Sequence, residues 1–221
     1  MQAITIAVAQ QKGGAGKTTL AANLAVACSQ FGLDTAIIDI DPQGSLTHWA
    51  KLREQSDDDS LAPIAFSSVS GWRVAKEIGR LKSQFDVVII DNPPHAQTES
   101  REAIRHSDLV VIPMQPSPLD LWATQATIEM AKAEKKPIKM VLNRVNSMSK
   151  LSQTIASEID VLCQNRFGNR VGFAGAMVSG RGVTESAPSS IAAQEVLALA
   201  EEILAYFGIE VVDEDEYQVR A

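Results

Sequence analysis

Residues 11–19 read Gln-Lys-Gly-Gly-Ala-Gly-Lys-Thr-Thr, a short run rich in glycine and lysine. It directly follows the apolar run of residues 4–9 and directly precedes a helical pattern that starts near Leu20. A strand that ends in a glycine-rich loop and continues as a helix points several backbone N–H groups and a helix N-terminus at one small volume. That volume suits a polyphosphate, so the stretch predicts a phosphate-binding loop.

The residue types of the loop fit this chemistry. Gly13, Gly14 and Gly16 allow a tight turn and close approach of the backbone to a ligand, because no Cβ intrudes. Lys17 can reach the β- and γ-phosphates, and the Thr18 hydroxyl can ligate Mg²⁺. The predicted nucleotide-binding residues of the loop are Lys12, Gly13, Gly14, Ala15, Gly16, Lys17, Thr18 and Thr19.

The loop departs from the strict G-x-x-x-x-G-K-[ST] pattern, which requires glycine where this chain has Gln11. It carries instead a second lysine, Lys12, which is unnecessary for holding one nucleotide within one subunit. This arrangement resembles the deviant Walker A motif of the ParA/MinD ATPases. The resemblance implies that Lys12 reaches across a nucleotide-sandwich homodimer to the partner's phosphates, much as an arginine finger does. It also implies that Lys12 and Lys17 are catalytic.

Composition predicts one ordinary globular domain, because 45 % of the residues are hydrophobic and 21 % are charged. We expect this domain to cover residues 1–210 and an acidic, mobile tail to cover residues 211–221. No run reaches the roughly 18 apolar residues that cross a bilayer, and residues 4–9 are too short for a signal peptide. Cys28 and Cys163 each fall in a helical pattern and are expected to be reduced packing residues in a cytoplasm.

Charge is distributed unevenly along the chain. The formal net charge of −7 argues against a constitutive nucleic-acid binder. Positive charge nevertheless concentrates in residues 132–150, so a basic face and an ordinary solvated surface both remain open. The residues concerned are Lys132, Lys135, Lys136, Lys139, Arg144 and Lys150, followed by Arg166, Arg170 and Arg181.

Apolar runs alternate with helical patterns along the chain, which predicts an α/β fold. We expect a doubly wound, mostly parallel sheet with helices on both faces, of the P-loop NTPase type, with ligands at the carboxyl ends of the strands. The predicted strands are residues 4–9, 35–40, 64–66, 85–90, 109–112 and 139–142. The predicted helices are residues 17–31, 71–82, 98–106, 118–132, 150–165 and 190–207.

Two acidic motifs follow predicted strands. The stretch from Asp39 to Gly44, Asp-Ile-Asp-Pro-Gln-Gly, resembles the second signature of the family. That resemblance implies that Asp41 positions the attacking water and that Asp39 supports both the magnesium shell and the loop. The run Val-Val-Ile-Ile-Asp resembles a Walker B motif, so Asp91 is expected to hold Mg²⁺ through water, opposite Thr18. Asn92 is a departure, because the family has a small residue at that position.

A later strand ends in Asn143 and Arg144, a pair that resembles the adenine-contacting segment of the family. Asn143 can both donate to and accept from the edge of a base. The implied cofactors are therefore ATP and Mg²⁺.

The resemblance implies a small ParA-type ATPase, because the chain starts at the first strand without an N-terminal helix-turn-helix. Such proteins dimerise on ATP, bind nucleoid DNA nonspecifically and are released when a ParB-like or cargo adaptor protein stimulates hydrolysis. Their cargo is a plasmid, a chromosome region or another body in the bacterial cytoplasm. No membrane contact is expected, since anionic lipid would repel the acidic C-terminal residues.

Two other functions remain open. A MinD-like membrane ATPase shares the motifs but requires a basic amphipathic C-terminal helix. A metabolic ligase or synthetase, such as dethiobiotin synthetase, shares the loop geometry but would not need Lys12.

Overall fold

The computed structural model describes residues 3–94, 97–146 and 150–211. Its centre is a six-stranded parallel sheet with the strand order β3-β2-β4-β1-β5-β6. This confirms the predicted fold class, and all six predicted strands are found within two residues of their expected ends. The strands are β1 (Ile4–Val8), β2 (Thr35–Asp39), β3 (Ile64–Ser68), β4 (Val87–Asp91), β5 (Leu109–Met114) and β6 (Ile138–Leu142).

Helices cover both faces of the sheet. Successive side chains of a strand point to opposite faces, so each apolar strand presents side chains to the helices on both sides. Ile89 packs in the cluster formed with helices α1 (Lys17–Gln30) and α9 (Ile191–Tyr206), whereas its neighbours Val88 and Ile90 pack in the cluster formed with α3 (Arg73–Lys82). The continuous apolar runs of the central strands are thus buried on both faces. The helices are α1 (Lys17–Gln30), α2 (Ser45–Glu54), α3 (Arg73–Lys82), α4 (Gln97–His106), α5 (Pro118–Ala133), α6 (Lys150–Ser157), α7 (Val171–Met177), α8 (Val183–Ser186) and α9 (Ile191–Tyr206).

The prediction of one helix over residues 150–165 was wrong. Helix α6 ends at Ser157, and the chain then runs alongside β6 and the residues after it, joined by two isolated parallel bridges, Met140 to Leu162 and Val145 to Gly168. The Cys163 N–H donates to the Met140 carbonyl at 2.8 Å, and Leu162 and Cys163 pack into clusters that include opposite faces of the sheet. Cys163 is therefore not helical. Burial raises the pKa of its thiol, and that of the Cys28 thiol, to about 12. Both cysteines are inert packing residues.

The chain termini are only partly described. Val211, the first residue of the expected tail, packs against the core cluster of α1 and α9, and residues 212–221 lie outside the described residues. Among the described residues, no helix is both long and apolar enough to cross a membrane.

Candidate functional site

The glycine-rich loop connects the carboxyl end of β1 to α1 at the centre of the sheet. Gly14 and Gly16 have φ values of 75° and 94°, in the left-handed region that favours glycine. Gly16 also caps α1, and a Cβ added there would lie 2.2 Å from the Asn143 amide nitrogen. These two glycines are therefore required by the backbone, and the helix N-terminus is open to an anion.

An open cavity of about 960 Å³ lies over this loop. The structure brings to it most of the predicted phosphate-binding residues, together with Asp41 and Arg144. Its polar lining includes Gly13, Gly14, Gly16, Lys17, Thr18, Thr19, Asp41 and Arg144. Lys12 does not line it, and neither do Asp39, Asp91 or Asn143, which support the cavity from outside.

Lys17 is a buried cation at the floor of the cavity. Burial lowers the pKa of its ammonium group, and the carboxylates of Asp91 and Asp41 partly offset that effect. A polyphosphate would supply the missing negative charge at close range. The site is therefore electrostatically prepared for a nucleotide.

Thr18 and Asp91 meet beside Lys17, as expected for a magnesium site. The Thr18 hydroxyl donates to Asp91 Oδ2 at 2.6 Å, while Asp91 Oδ1 is buried without a hydrogen-bond partner among the described residues. Burial raises the pKa of Asp91 to about 7. An unpaired buried carboxylate oxygen next to a hydroxyl fits the shell of Mg²⁺, which commonly keeps waters and takes its other ligands from a nucleotide. Bound there, the ion would neutralise charge on the transferring phosphoryl group.

Asp39 holds the loop that carries Asp41. Its Oδ1 accepts from the Asp41 N–H at 2.9 Å, and its Oδ2 accepts from both the N–H and the hydroxyl of Thr47 at 2.7 and 2.6 Å. Both carboxylate oxygens are thus occupied by protein donors. This geometry fits the predicted role of Asp39 in the loop, and its place in the magnesium shell stays a prediction.

Lys12 turns away from the phosphate cavity and binds helix α5. Its ammonium group lies 2.6 Å from Asp120 Oδ2, with side-chain exposures of 38 % for Lys12 and 4 % for Asp120. Burial raises the pKa of Asp120, but hydrogen bonds from Lys12, Ser117 and Gln115 outweigh it and leave that pKa below its usual value. Sequence reasoning missed Asp120, although the spacing of Ser117 and Asp120 at the start of α5 is a helix-capping pattern.

The strand ends below the loop are tied together by two asparagines. Asn143 donates from Nδ2 to the Ala15 carbonyl at 2.9 Å, and its Oδ1 accepts from the Arg144 N–H. Asn143 thus supports the loop in this structure, and its adenine contact stays a prediction. Asn92 donates from Nδ2 to the carbonyls of Val8 and Ile90, which bridges β1 and β4. These two hydrogen bonds require a side-chain amide, which accounts for asparagine at position 92 where the family has a smaller residue.

Comparison with known proteins identifies the family of this site. The family model of the CobQ/CobB/MinD/ParA nucleotide binding domain matches residues 6–178. The chain belongs to this family. It is a P-loop ATPase that uses ATP and Mg²⁺, and it falls among the ParA/MinD-type positioning ATPases, whose members dimerise and work with partner proteins.

Two relatives show how far the sequence similarity extends. The maintenance of carboxysome distribution protein A of Halothiobacillus neapolitanus is 32% identical over 167 residues, covering 73% of this chain and 76% of that protein. The chromosome-partitioning ATPase Soj of Thermus thermophilus is 27% identical over 236 residues, covering 90% of this chain and 95% of that protein.

Solved structures share the fold at lower identity. An ATP complex of Cyanothece McdA superposes with a TM-score of 0.76 at 19% identity, covering 96% of this chain and 99% of that chain. The Mg-ADP complex of MinD from Pyrococcus horikoshii gives 0.75 at 21% identity, covering 93% and 98%.

Proposed function

We propose that this protein positions a cargo by an ATP-driven cycle in which the ATP-bound homodimer grips nucleoid DNA without sequence preference. A ParB-like or cargo adaptor protein then stimulates hydrolysis, and the dimer is released from the DNA. Repetition of this cycle segregates the cargo, which is a plasmid, a chromosome region or another body. The observation that carries this proposal is the direction of Lys12. Lys12 does not line the subunit's own phosphate cavity; its side chain is 38% exposed and pairs with Asp120, a contact that it would exchange for a second subunit's phosphates.

Within each subunit, different residues bind the phosphates, hold the metal ion and orient the water. Lys17 neutralises the β- and γ-phosphates, Thr18 and Asp91 hold Mg²⁺, and Asp41 orients the attacking water at the open side of the cavity. Phosphoryl transfer depends mainly on such placement and charge stabilisation, so Asp41 does not need to be a strong base. Lys12 of a second subunit completes the charge around the phosphates only when the dimer closes.

The DNA contacts are proposed to come from cations that make no ion pair within 4 Å among the described residues, although Lys136 helps to lower the pKa of Glu134. Arg170 pairs with Glu195 and Arg181 pairs with Asp58, so both are largely neutralised. By contrast, none of four lysines at the end of α5 and the start of β6 makes an ion pair among the described residues. These lysines are Lys132, Lys135, Lys136 and Lys139, while the side chain of Lys150 lies outside the described residues.

Charge reversal of Lys132, Lys135 and Lys136 to glutamate is expected to weaken ATP-dependent binding to unrelated DNA sequences. Each lost phosphate contact should reduce the slope of log affinity against log salt by about 1. The measurement is a salt titration with a non-hydrolysable ATP analogue and with ADP. Arg170→Glu with Arg181→Glu is the matched control, and equal binding by the lysine variant and the wild-type protein would contradict this surface.

The MinD-like alternative is tested on the same protein by flotation with anionic vesicles in the presence of ATP. We expect the protein to remain with the unbound fraction. Recovery with the vesicles only when ATP is present would show that the ATP-bound protein binds a membrane, as the MinD-like alternative requires.

A further inference from the structure

The last turn of α9 lies beside the lysines at the start of β6. The Lys139 ammonium group is 5.8 Å from the centre of the Tyr206 ring, and Tyr206 is the last residue of α9. Lys139 shares a face of β6 with Val141, which packs in the same core cluster as α9. Val211, the last residue that the structure describes, packs against that cluster as well. The chain therefore reaches residue 211 on the face of the sheet to which Lys139 belongs.

The acidic side chains nearest to these lysines have other partners. Both carboxylate oxygens of Glu134 accept from Arg105, at 3.0 and 3.2 Å. Those of Glu202, on α9, accept three hydrogen bonds from residues 164–165, each at 2.9 Å. Lys136 is near enough to Glu134 to help lower its pKa, but none of the four lysines makes an ion pair among the described residues. We refer to these four residues as the lysine cluster: Lys132, Lys135, Lys136 and Lys139.

The sequence that follows residue 211 is strongly acidic. Residues 213–216 read Asp-Glu-Asp-Glu, four consecutive negative charges. Asp213 comes seven residues after Tyr206, a stretch that spans at most about 25 Å when it is extended. Lys136 precedes Lys139 by three residues, at most about 11 Å along the chain, so an acidic segment that starts near Tyr206 can reach both lysines.

We propose that residues 213–216 dock on the lysine cluster of their own chain and compete there with the phosphates of DNA. The proposal rests on the proposed function, in which this cluster binds DNA, and adds how that binding is limited. Carboxylates and phosphates bind the same ammonium groups, and the acidic segment is the anion that the chain itself supplies beside them. Because the segment is tethered, its effective concentration at the cluster is on the order of millimolar.

Such a contact is reversible, because each ion pair on an exposed surface is weak. A dimer presents two lysine clusters to one DNA molecule, so the phosphates can displace both acidic segments together. A monomer presents one cluster, which its own segment occupies. The acidic segment thus increases the difference in DNA binding between the two states of the cycle.

Two full-length variants with equal changes of charge test the proposal. Asp213→Asn with Asp215→Asn removes two charges from the acidic segment, and Asp57→Asn with Asp59→Asn removes two from exposed positions before β3. Strand β3 is at the opposite edge of the sheet from β6, so the second variant controls for net charge. Binding to unrelated DNA is titrated against salt with a non-hydrolysable ATP analogue and Mg²⁺.

We expect the variant at Asp213 and Asp215 to bind DNA about 2- to 30-fold more tightly than the wild-type protein at low salt, the range for two exposed ion pairs. Its slope of log affinity against log salt should also be steeper, because salt weakens the competing contact in the wild-type protein. The variant at Asp57 and Asp59 should bind DNA with near wild-type affinity.

Cross-linking with a carbodiimide tests the contact without DNA. This reagent joins a carboxylate to an ammonium group that it touches, and peptide mass spectrometry identifies the two residues. We expect the monomer fraction of the nucleotide-free protein to give cross-links from residues 213–216 to the lysine cluster at low salt. Lys51 and Lys76, exposed on α2 and α3, are the reference sites.

Two results would overturn the inference. One is equal DNA binding by the wild-type protein and the variant at Asp213 and Asp215. The other is a yield of cross-links from residues 213–216 that is no higher at the lysine cluster than at Lys51 and Lys76. Failure of both the wild-type protein and the variant to bind DNA would contradict the proposed function instead, and the cross-links would still decide where the acidic segment docks.

Discussion

Replacing Lys17 with alanine is expected to lower the rate of ATP hydrolysis by about 10²- to 10³-fold, the usual loss when a preorganised charge is removed from a transition state. The reason is the position of Lys17 in the structure. Its ammonium group is buried at the floor of the phosphate cavity, beside the carboxylates of Asp91 and Asp41. Without it, the phosphates would meet two acidic groups with no lysine between them, so nucleotide affinity should also fall.

Lys12→Ala is the matched control, because it removes a lysine from the same loop but not from the cavity. We expect this variant to bind ATP as a monomer with near wild-type affinity and to fail to dimerise. Steady-state hydrolysis, monomer nucleotide binding and sedimentation separate the two lysines. Normal ATP binding by Lys17→Ala, or loss of monomer binding in Lys12→Ala, would contradict the roles assigned to them.

Replacing Glu185 with alanine is expected to lower the free energy of unfolding by about 3–5 kcal/mol, because it leaves a buried arginine without its partner. Arg53 donates to both carboxylate oxygens of Glu185, at 2.8 and 2.6 Å, with side-chain exposures of 10% and 4%. Glu185 also accepts from the N–H groups of Ala62 and Gly182, each at 2.9 Å. This buried pair joins α2 to the chain before β3 and to the start of α8.

Urea unfolding measures this loss, and Glu102→Ala is its control. Glu102 pairs with Arg105 at 2.6 Å on the surface of α4, where water screens both charges, so a much smaller loss is expected. A second variant, Arg53→Met with Glu185→Leu, should recover part of the stability because it removes both buried charges together. Equal losses for Glu185→Ala and Glu102→Ala would show that burial of the pair is unimportant.

The sequence predicted the sheet well because its strands are recognisable from local composition. Continuous β-branched and aliphatic runs such as residues 87–90 are typical of strands buried on both faces. Helices α2 and α7 were missed for different reasons. Helix α2 begins after a left-handed Gly44, and the buried Asp39 carboxylate eight residues earlier accepts from Thr47 in its first turn, while α7 contains two glycines in seven residues.

The site was predictable where each group belongs to a recognisable motif at the end of a strand, which also placed Asp91 opposite Thr18. The loop glycines, Lys17 and Thr18 could be placed from their spacing, since strand, loop and helix are adjacent in the chain. The partner of Lys12 could not, because Asp120 is 108 residues away and is brought to it by the packing of α5. Asn143 illustrates the same limit, since its bond to Ala15 depends on how β6 approaches the loop.

The Asp41→Ala protein shows whether ATP assembles a dimer that binds DNA. This change removes the group assigned to the water while leaving Lys12, Lys17 and the phosphate loop intact, so ATP should persist. Molecular mass and binding to unrelated DNA are measured with ATP and with ADP. We expect an ATP-bound dimer that binds DNA and loses affinity steeply with salt, and an ADP-bound monomer that does not. A monomer with both nucleotides, or a dimer indifferent to DNA, would contradict the account.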